Sequence, residues 1–186
     1  MTSSDETALR PGAIADVAQV VGVSYEAGAG GPARVAVVCA KFNGGITQRL
    51  LDGVLAGLKD HGVALDTVAV AWVPGAVELP LAASRLLRCG DYDTVIALGA
   101  VIRGDTAHFD FVAGECAAGL QRVALDSGVP VIFGVLTTET VAQATERAGP
   151  GQGNKGYEAA VTALEMVRLL EMLPAPAPGG RRTGAV

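Results

Sequence analysis

Apolar and polar positions alternate in short blocks along the chain, and the blocks carry two different periods. Arg34 to Ala40 (RVAVVCA) is a β-branched run of the length of a buried strand. Ile46, Leu50, Leu51, Val54, Leu55 and Leu58 then recur at helical spacing, and His61-Gly62 closes that helix. Thr67 to Trp72 (TVAVAW) predicts a second strand, and Val73-Pro74-Gly75 a turn. Glu78-Leu79-Pro80 sets acid and proline in the first turn of a helix that ends near Cys89-Gly90. Thr94 to Ala100 (TVIALGA) predicts the third strand. Phe109, Val112, Ala113, Cys116, Leu120 and Val123 mark a long helix. Gly128-Val129-Pro130 opens a fourth strand, Val131 to Val135, and helices near Thr140–Arg147 and Tyr157–Met172 follow. Four strands alternating with helices predict an α/β fold with a parallel sheet covered on both faces. In such folds ligands bind beyond the carboxyl ends of the strands, so the chemistry is sought in the segments that follow them.

The flanks read differently. Residues 1–33 are expected to be an arm and linker, with Ile14 to Val23 apolar enough for a strand and Gly28 to Pro32 a connector. Residues 34–172 form the expected domain, and residues 173–186, ending in APAPGGRRTGAV, a flexible tail.

Composition narrows the class. The 186 residues suit one domain, and half are hydrophobic, which excludes a mostly disordered chain. Mean hydropathy is +0.40, yet no run approaches the roughly 20 apolar residues of a membrane helix. With 4% aromatic and 18% charged residues, the chain has too few charges to coat its surface, so some helix faces are expected to be buried by other subunits. A net charge of −5 argues against a nucleic-acid binder with a broad basic face. Cys39, Cys89 and Cys116 have neither metal nor disulfide spacing, and each is expected to be a buried thiol. No basic-then-apolar leader is visible, so a cytoplasmic location is expected.

Each strand end offers a candidate with an ordinary alternative. Phe42 fits stacking on a flat ring, although alone it reads more simply as a cap on the core. The Trp72–Glu78 turn can present bare N–H groups, and Glu78 fits a hydroxyl acceptor and a helix-dipole acid about equally. Gly104 permits a tight turn, and Asp105 or Thr106 can cap the next helix, which gives an anion pocket without P-loop spacing. The chain has two histidines. His61 already serves a helix end, which leaves His108 as the candidate for proton transfer. Phe133 near a strand end, Arg147 at a helix end and Lys155 in a glycine-rich turn are weak signals singly. All of them fall at one predicted sheet edge.

The segments together say more. FN before an amphipathic helix, VPGAVELP, ALGAVIRGDTAHFDFV, GVPVIFGVLTTETVAQATERAG and GNKGYEAA, in this order, strongly resemble lumazine synthase across residues 34–172. The resemblance implies a flavodoxin-like three-layer αβα sandwich with a four-stranded parallel sheet, which an N-terminal strand from a neighbour can extend. It implies condensation of 5-amino-6-ribitylamino-2,4(1H,3H)-pyrimidinedione with 3,4-dihydroxy-2-butanone 4-phosphate to 6,7-dimethyl-8-ribityllumazine, without cofactor or metal. It implies a homo-oligomer built on pentamers, with decamers and sixty-subunit shells open, and riboflavin synthase as a partner. By the same resemblance Phe42 stacks on the pyrimidine, and Ala76, Val77 and Glu78 hold the ribityl chain. Val101 and Ile102 meet the ring edge; Gly104, Asp105 and Thr106 receive the phosphate; His108 transfers protons. A neighbouring subunit supplies Phe133, Arg147 and Lys155. Val77 departs from the Phe of many relatives. Three other readings remain: an archaeal-type riboflavin synthase, better separated by substrate than by fold; a non-catalytic flavin or lumazine carrier or enclosing shell; and a flavodoxin-type electron carrier, which would hold a flavin tightly. Retention of His108, Arg147 and Lys155 together speaks against the non-catalytic carrier or shell.

Overall fold

Every side chain from Val35 to Ala40 is shielded from solvent, which a parallel strand flanked on both edges and both faces requires. In the computed structural model, which describes residues 33–150 and 153–174, this segment is β1. The other elements are α1 (Gly44–Asp60), β2 (Ala69–Val73), α2 (Leu79–Leu87), β3 (Thr94–Ile102), α3 (His108–Ser127), β4 (Val131–Thr138), α4 (Val141–Arg147) and α5 (Lys155–Met172). The strand order is β2-β1-β3-β4, all parallel.

Side-chain alternation along β1 sorts the helices into two layers. Val35, Val37 and Cys39 join Ile96 and Leu98 beneath Leu50, Val54 and Leu58 of α1 and Ala160, Ala163 and Leu164 of α5. Ala36, Val38 and Ala40 join Val95 and Ala97 beneath Leu79 and Ala83 of α2 and Cys116 and Leu120 of α3. The result is a three-layer αβα sandwich with flavodoxin-type strand order. Small residues let the layers close. A Cβ on Gly57 of α1 would lie 2.9 Å from that of Ala160 on α5, so only glycine allows the two helices to sit this near.

The chain runs from β1 outward to β2, then returns past β1 to β3. Strand order therefore reverses between β1 and β3, which places a crevice at their carboxyl ends. The register deepens it. β1 stays opposite β3 only as far as Cys39 and Leu98, whereas β3 continues against β4 to Ile102 and Thr138. Beyond Leu98, then, β3 has a partner strand on one side alone.

Several boundaries differ from the sequence expectation. The second strand begins at Ala69 because Leu65–Thr67 forms a 3-10 turn, in which the Thr67 hydroxyl donates to Ala64 O at 2.7 Å. β3 and β4 outlast their expected ends, since each lengthens the ladder of the other. Lys155 starts α5 instead of lying in a turn, because Asn154 Oδ1 accepts from Gly156 N at 2.7 Å and caps the helix two residues early. Cys39 and Cys116 are buried, and burial pushes their thiols up to about 12 and about 11. Cys89 is exposed, contrary to expectation, because it lies past the end of α2. No helix among the described residues is long and apolar enough to cross a membrane. The expected strand at Ile14–Val23 and the Arg181-Arg182 tail lie outside the described residues.

Candidate functional site

The β1–α1 turn is fixed by Asn43. Its backbone takes the left-handed conformation (φ 57°, ψ 33°) that Asn tolerates better than most residues. Its Nδ2 donates to Ala100 O at 2.8 Å, which uses one of the backbone groups that β1 leaves unpaired on β3. Phe42, just before it, is 74% exposed and caps no core; it stands at the mouth of the crevice, which corrects the simpler reading of that ring. Across from it, Ala76–Glu78 forms a 3-10 turn in which Glu78 Oε2 accepts from Gly75 N at 2.9 Å. That bond braces the turn and uses one carboxylate oxygen. Val77 is half exposed beside it.

These segments enclose a cleft of about 490 Å³. Phe42, Ala76, Val77, Glu78, Val101, Ile102, Gly104, Thr106 and His108 all line it. Asp105 sits in the same exposed turn but is not part of the lining. Neither Asp105 nor Thr106 caps α3 as expected. Ala107 is the N-cap residue and has no side-chain bond to offer, while Thr106 Oγ1 accepts a long 3.4 Å bond from His108 N. At that helix start Asp110 N also donates, to Ala107 O at 3.0 Å, so what the exposed turn can offer an anion is the positive end of the helix more than a row of free N–H groups.

The remaining candidates gather elsewhere. Phe133, Arg147 and Lys155 line a second cleft of about 520 Å³ along the β4 edge. The strand order separates the two clefts, since β4 is the outer strand while the first lies over β1 and β3. Phe133 is the third residue of β4, not its end as expected, and is 43% exposed. Arg147 Nη1 donates to Gln143 O at 3.1 Å, and Lys155 Nζ pairs with Glu158 at 2.6 Å. One chain thus brings together an apolar, backbone-rich half and a cationic half, but not with each other. A third cleft, lined by Arg49, Asp52, Asp60 and Tyr157, contains no candidate from the sequence. Among the described residues no three His, Cys, Asp or Glu side chains are placed to hold a metal ion.

Three residues that support these clefts escaped the sequence reading. Asn43 is one. Asn154 is the second: buried, it donates to Arg49 O at 3.0 Å and to Gly149 O at 2.8 Å besides capping α5. It thereby ties α1 to the segment between Arg147 and Lys155. Its position just before a helix was the only local signal. Arg103 is the third. It pairs with Asp110 at 3.0 Å and with Glu139 at 2.8 Å, and its guanidinium carbon lies 4.1 Å from the centre of the Phe109 ring. The hydrogen bonds to Asp110 and then Glu139 hold its proton more firmly than usual.

The comparisons with known proteins agree with one another. A family model described as 6,7-dimethyl-8-ribityllumazine synthase matches residues 32–171. A 6,7-dimethyl-8-ribityllumazine synthase from Edwardsiella ictaluri is 56% identical over 144 residues, 77% of this chain and 92% of that protein. One from Yersinia pestis is 56% identical over 142 residues, 76% of this chain and 91% of that protein.

Proposed function

Because this chain belongs to the 6,7-dimethyl-8-ribityllumazine synthase family, it is a transferase of riboflavin biosynthesis, and we propose how its two clefts share the work. The reaction joins 5-amino-6-ribitylamino-2,4(1H,3H)-pyrimidinedione to 3,4-dihydroxy-2-butanone 4-phosphate. The amine attacks the ketone and water leaves as the imine forms. Phosphate is then eliminated, the ribityl-bearing nitrogen closes the ring, and a second water departs. The steps are redox-neutral, and we assign them to this protein's own side chains and backbone.

The pyrimidine stacks on Phe42 with its edge against the backbone at Val101 and Ile102. Support comes from the register: β3 outruns β1 here, so the backbone groups of Ile102 lie on a side with no strand partner, while those of Val101 turn toward β4 and Val101 contributes as part of the cleft wall. Glu78 holds the ribityl hydroxyls with the carboxylate oxygen not engaged by Gly75, and Ala76 and Val77 line that chain. The Gly104-Asp105-Thr106 turn receives the phosphate, where the positive end of α3 stabilises negative charge. His108, at the first turn of α3, moves protons during imine formation and elimination. Phe133, Arg147 and Lys155 belong to the site of an adjacent copy, with Arg147 gripping phosphate by charge-assisted bonds. The protein is then a homo-oligomer built on pentamers, with a larger shell open to it, cytoplasmic, and served by riboflavin synthase as the enzyme that takes its product.

The observation that carries this reading is the division of the candidates into two clefts on one chain. Since the chemistry is intrinsically feasible, positioning supplies most of the acceleration, up to ~7–11 kcal/mol in ideal cases. The test is complementation. Phe42→Ala and Arg147→Ala proteins, each assayed at substrate concentrations below its raised KM so that alone it turns over slowly, are dissociated and reassembled together. Recovered product fluorescence supports a shared site, and absence of recovery refutes it.

A further inference from the structure

The turn between β3 and α3 is poorly held by its own residues. Residues 103–108 are all exposed, Gly104 adds backbone freedom, and the N-cap residue Ala107 makes no side-chain bond. The hydrogen bond from His108 N to Thr106 Oγ1 is 3.4 Å long. A segment of this kind is expected to sample many conformations, yet both the proposed phosphate turn and His108 depend on it.

Arg103 compensates from the base of the turn. Its backbone N–H donates to Thr138 O at 2.9 Å, the last bond of the β3–β4 ladder. Its guanidinium spans the loop. Nη2 and Nη1 donate to the Asp110 carboxylate at 3.0 and 3.3 Å, in the first turn of α3. Nε meets Glu139 at 2.8 Å, just past β4. The same plane stacks on Phe109, whose ring packs on the core beneath α3 and lines the first cleft. Arg103 itself does not line that cleft, although both of its sequence neighbours do. A lone surface ion pair holds little, but a two-pronged guanidinium with two carboxylates and a ring fixes orientation as well as distance.

We propose that Arg103 is a positioning residue for this reaction: by bridging Asp110, Glu139 and Phe109 it closes the 103–110 loop and sets the phosphate-receiving turn and His108. The inference rests on the site assignment above. It separates the two substrates, because the pyrimidine is held by Phe42, Val101 and Ile102, outside the loop that Arg103 closes.

Steady-state kinetics on the full chain test it, with Arg103→Ala and Asp110→Asn measured against both substrates. Each variant is expected to raise KM for the phosphorylated ketose and lower kcat, together roughly ten- to a hundredfold, as for a small misplacement of reacting groups. KM for the pyrimidine stays within about twofold, since the Arg103 side chain meets Asp110, Glu139 and Phe109, none of which is assigned to the pyrimidine. A merely structural role would lower melting temperature and active fraction while leaving both KM values alone, and that result overturns the proposal. So does a parallel rise in both KM values. If Arg103→Ala raises the ketose KM but Asp110→Asn does not, Arg103 grips substrate directly and the positioning role falls. Should Arg103→Ala fail to fold, Asp110→Asn, which preserves side-chain volume, gives the same reading. His108→Ala is the separate control: unchanged turnover there refutes the site assignment, not the role of Arg103.

Discussion

The two clefts of this chain are held by different means. The first is framed by backbone: the β1 and β3 ends, the Asn43 pin on Ala100 O, and the 3-10 turn braced by Glu78. The second is framed by side chains at helix ends, with Arg147 resting on Gln143 O and Lys155 on Glu158. Backbone frames suit a flat, rigid ligand that must be aligned. Long cations resting on partners of their own chain suit a charge that is handed to an incoming anion. Under the proposed function, the difference matches alignment to the first cleft and charge to the second.

Substitutions sharpen this contrast, beginning with the largest effect. His108→Ala is expected to lower kcat by about 10²–10³-fold without abolishing turnover, because positioning survives. Turnover at the uncatalysed rate would show that the first cleft contributes no alignment. Asn154→Ala deletes three hydrogen bonds of a buried amide and is expected to cost about 2–3 kcal/mol in denaturant unfolding, the first-cleft variant Phe42→Ala almost nothing. Phe42→Ala instead raises KM for the pyrimidine, roughly tenfold if stacking carries the ring. Equal stability losses in the two variants would erase the distinction.

Smaller effects follow from ionisation and exposure. Arg34 beside Asp93, at 2.8 Å, holds that carboxyl below its ordinary value. A depressed value in the folded state contributes stability above the ordinary carboxylate range, and the contribution disappears as pH falls through the folded value. Asp93→Asn should therefore lower the melting temperature by roughly 1–3 °C at neutral pH, with the gap closing in acid. A gap that persists in acid would mean the pair is not its cause. Thiol labelling of the native protein should consume Cys89 first, leaving Cys39 and Cys116 intact until unfolding, as mass mapping can show.

What sequence made legible was what depends on neighbours along the chain. β1 and β3 stand out as short apolar runs rich in β-branched residues, and the α1 stripe from Ile46 to Leu58 needs only helical period. The β2 start was misjudged because Thr67 favours strand and turn alike, and only the fold decides between them. The strand ends at Ile102 and Thr138 were invisible because each depends on the other. Phe133 was placed at a strand end for the same reason. Asn154 and Asn43 act on carbonyls 105 and 57 residues away, distances no local pattern reports. Arg103 joins three segments, so its role emerges only when they meet. Resemblance supplied what geometry alone would have left open, namely which small molecules the crevice takes.

The early stop of β1 has one more consequence. A sheet whose middle strand falls short of its neighbour has a notch in its rim, and the proposed site sits in that notch. Adding two or three residues of strand after Ala40 would mend the rim, satisfy the idle amides and fill that site. In this enzyme a tidier sheet would be an inert one.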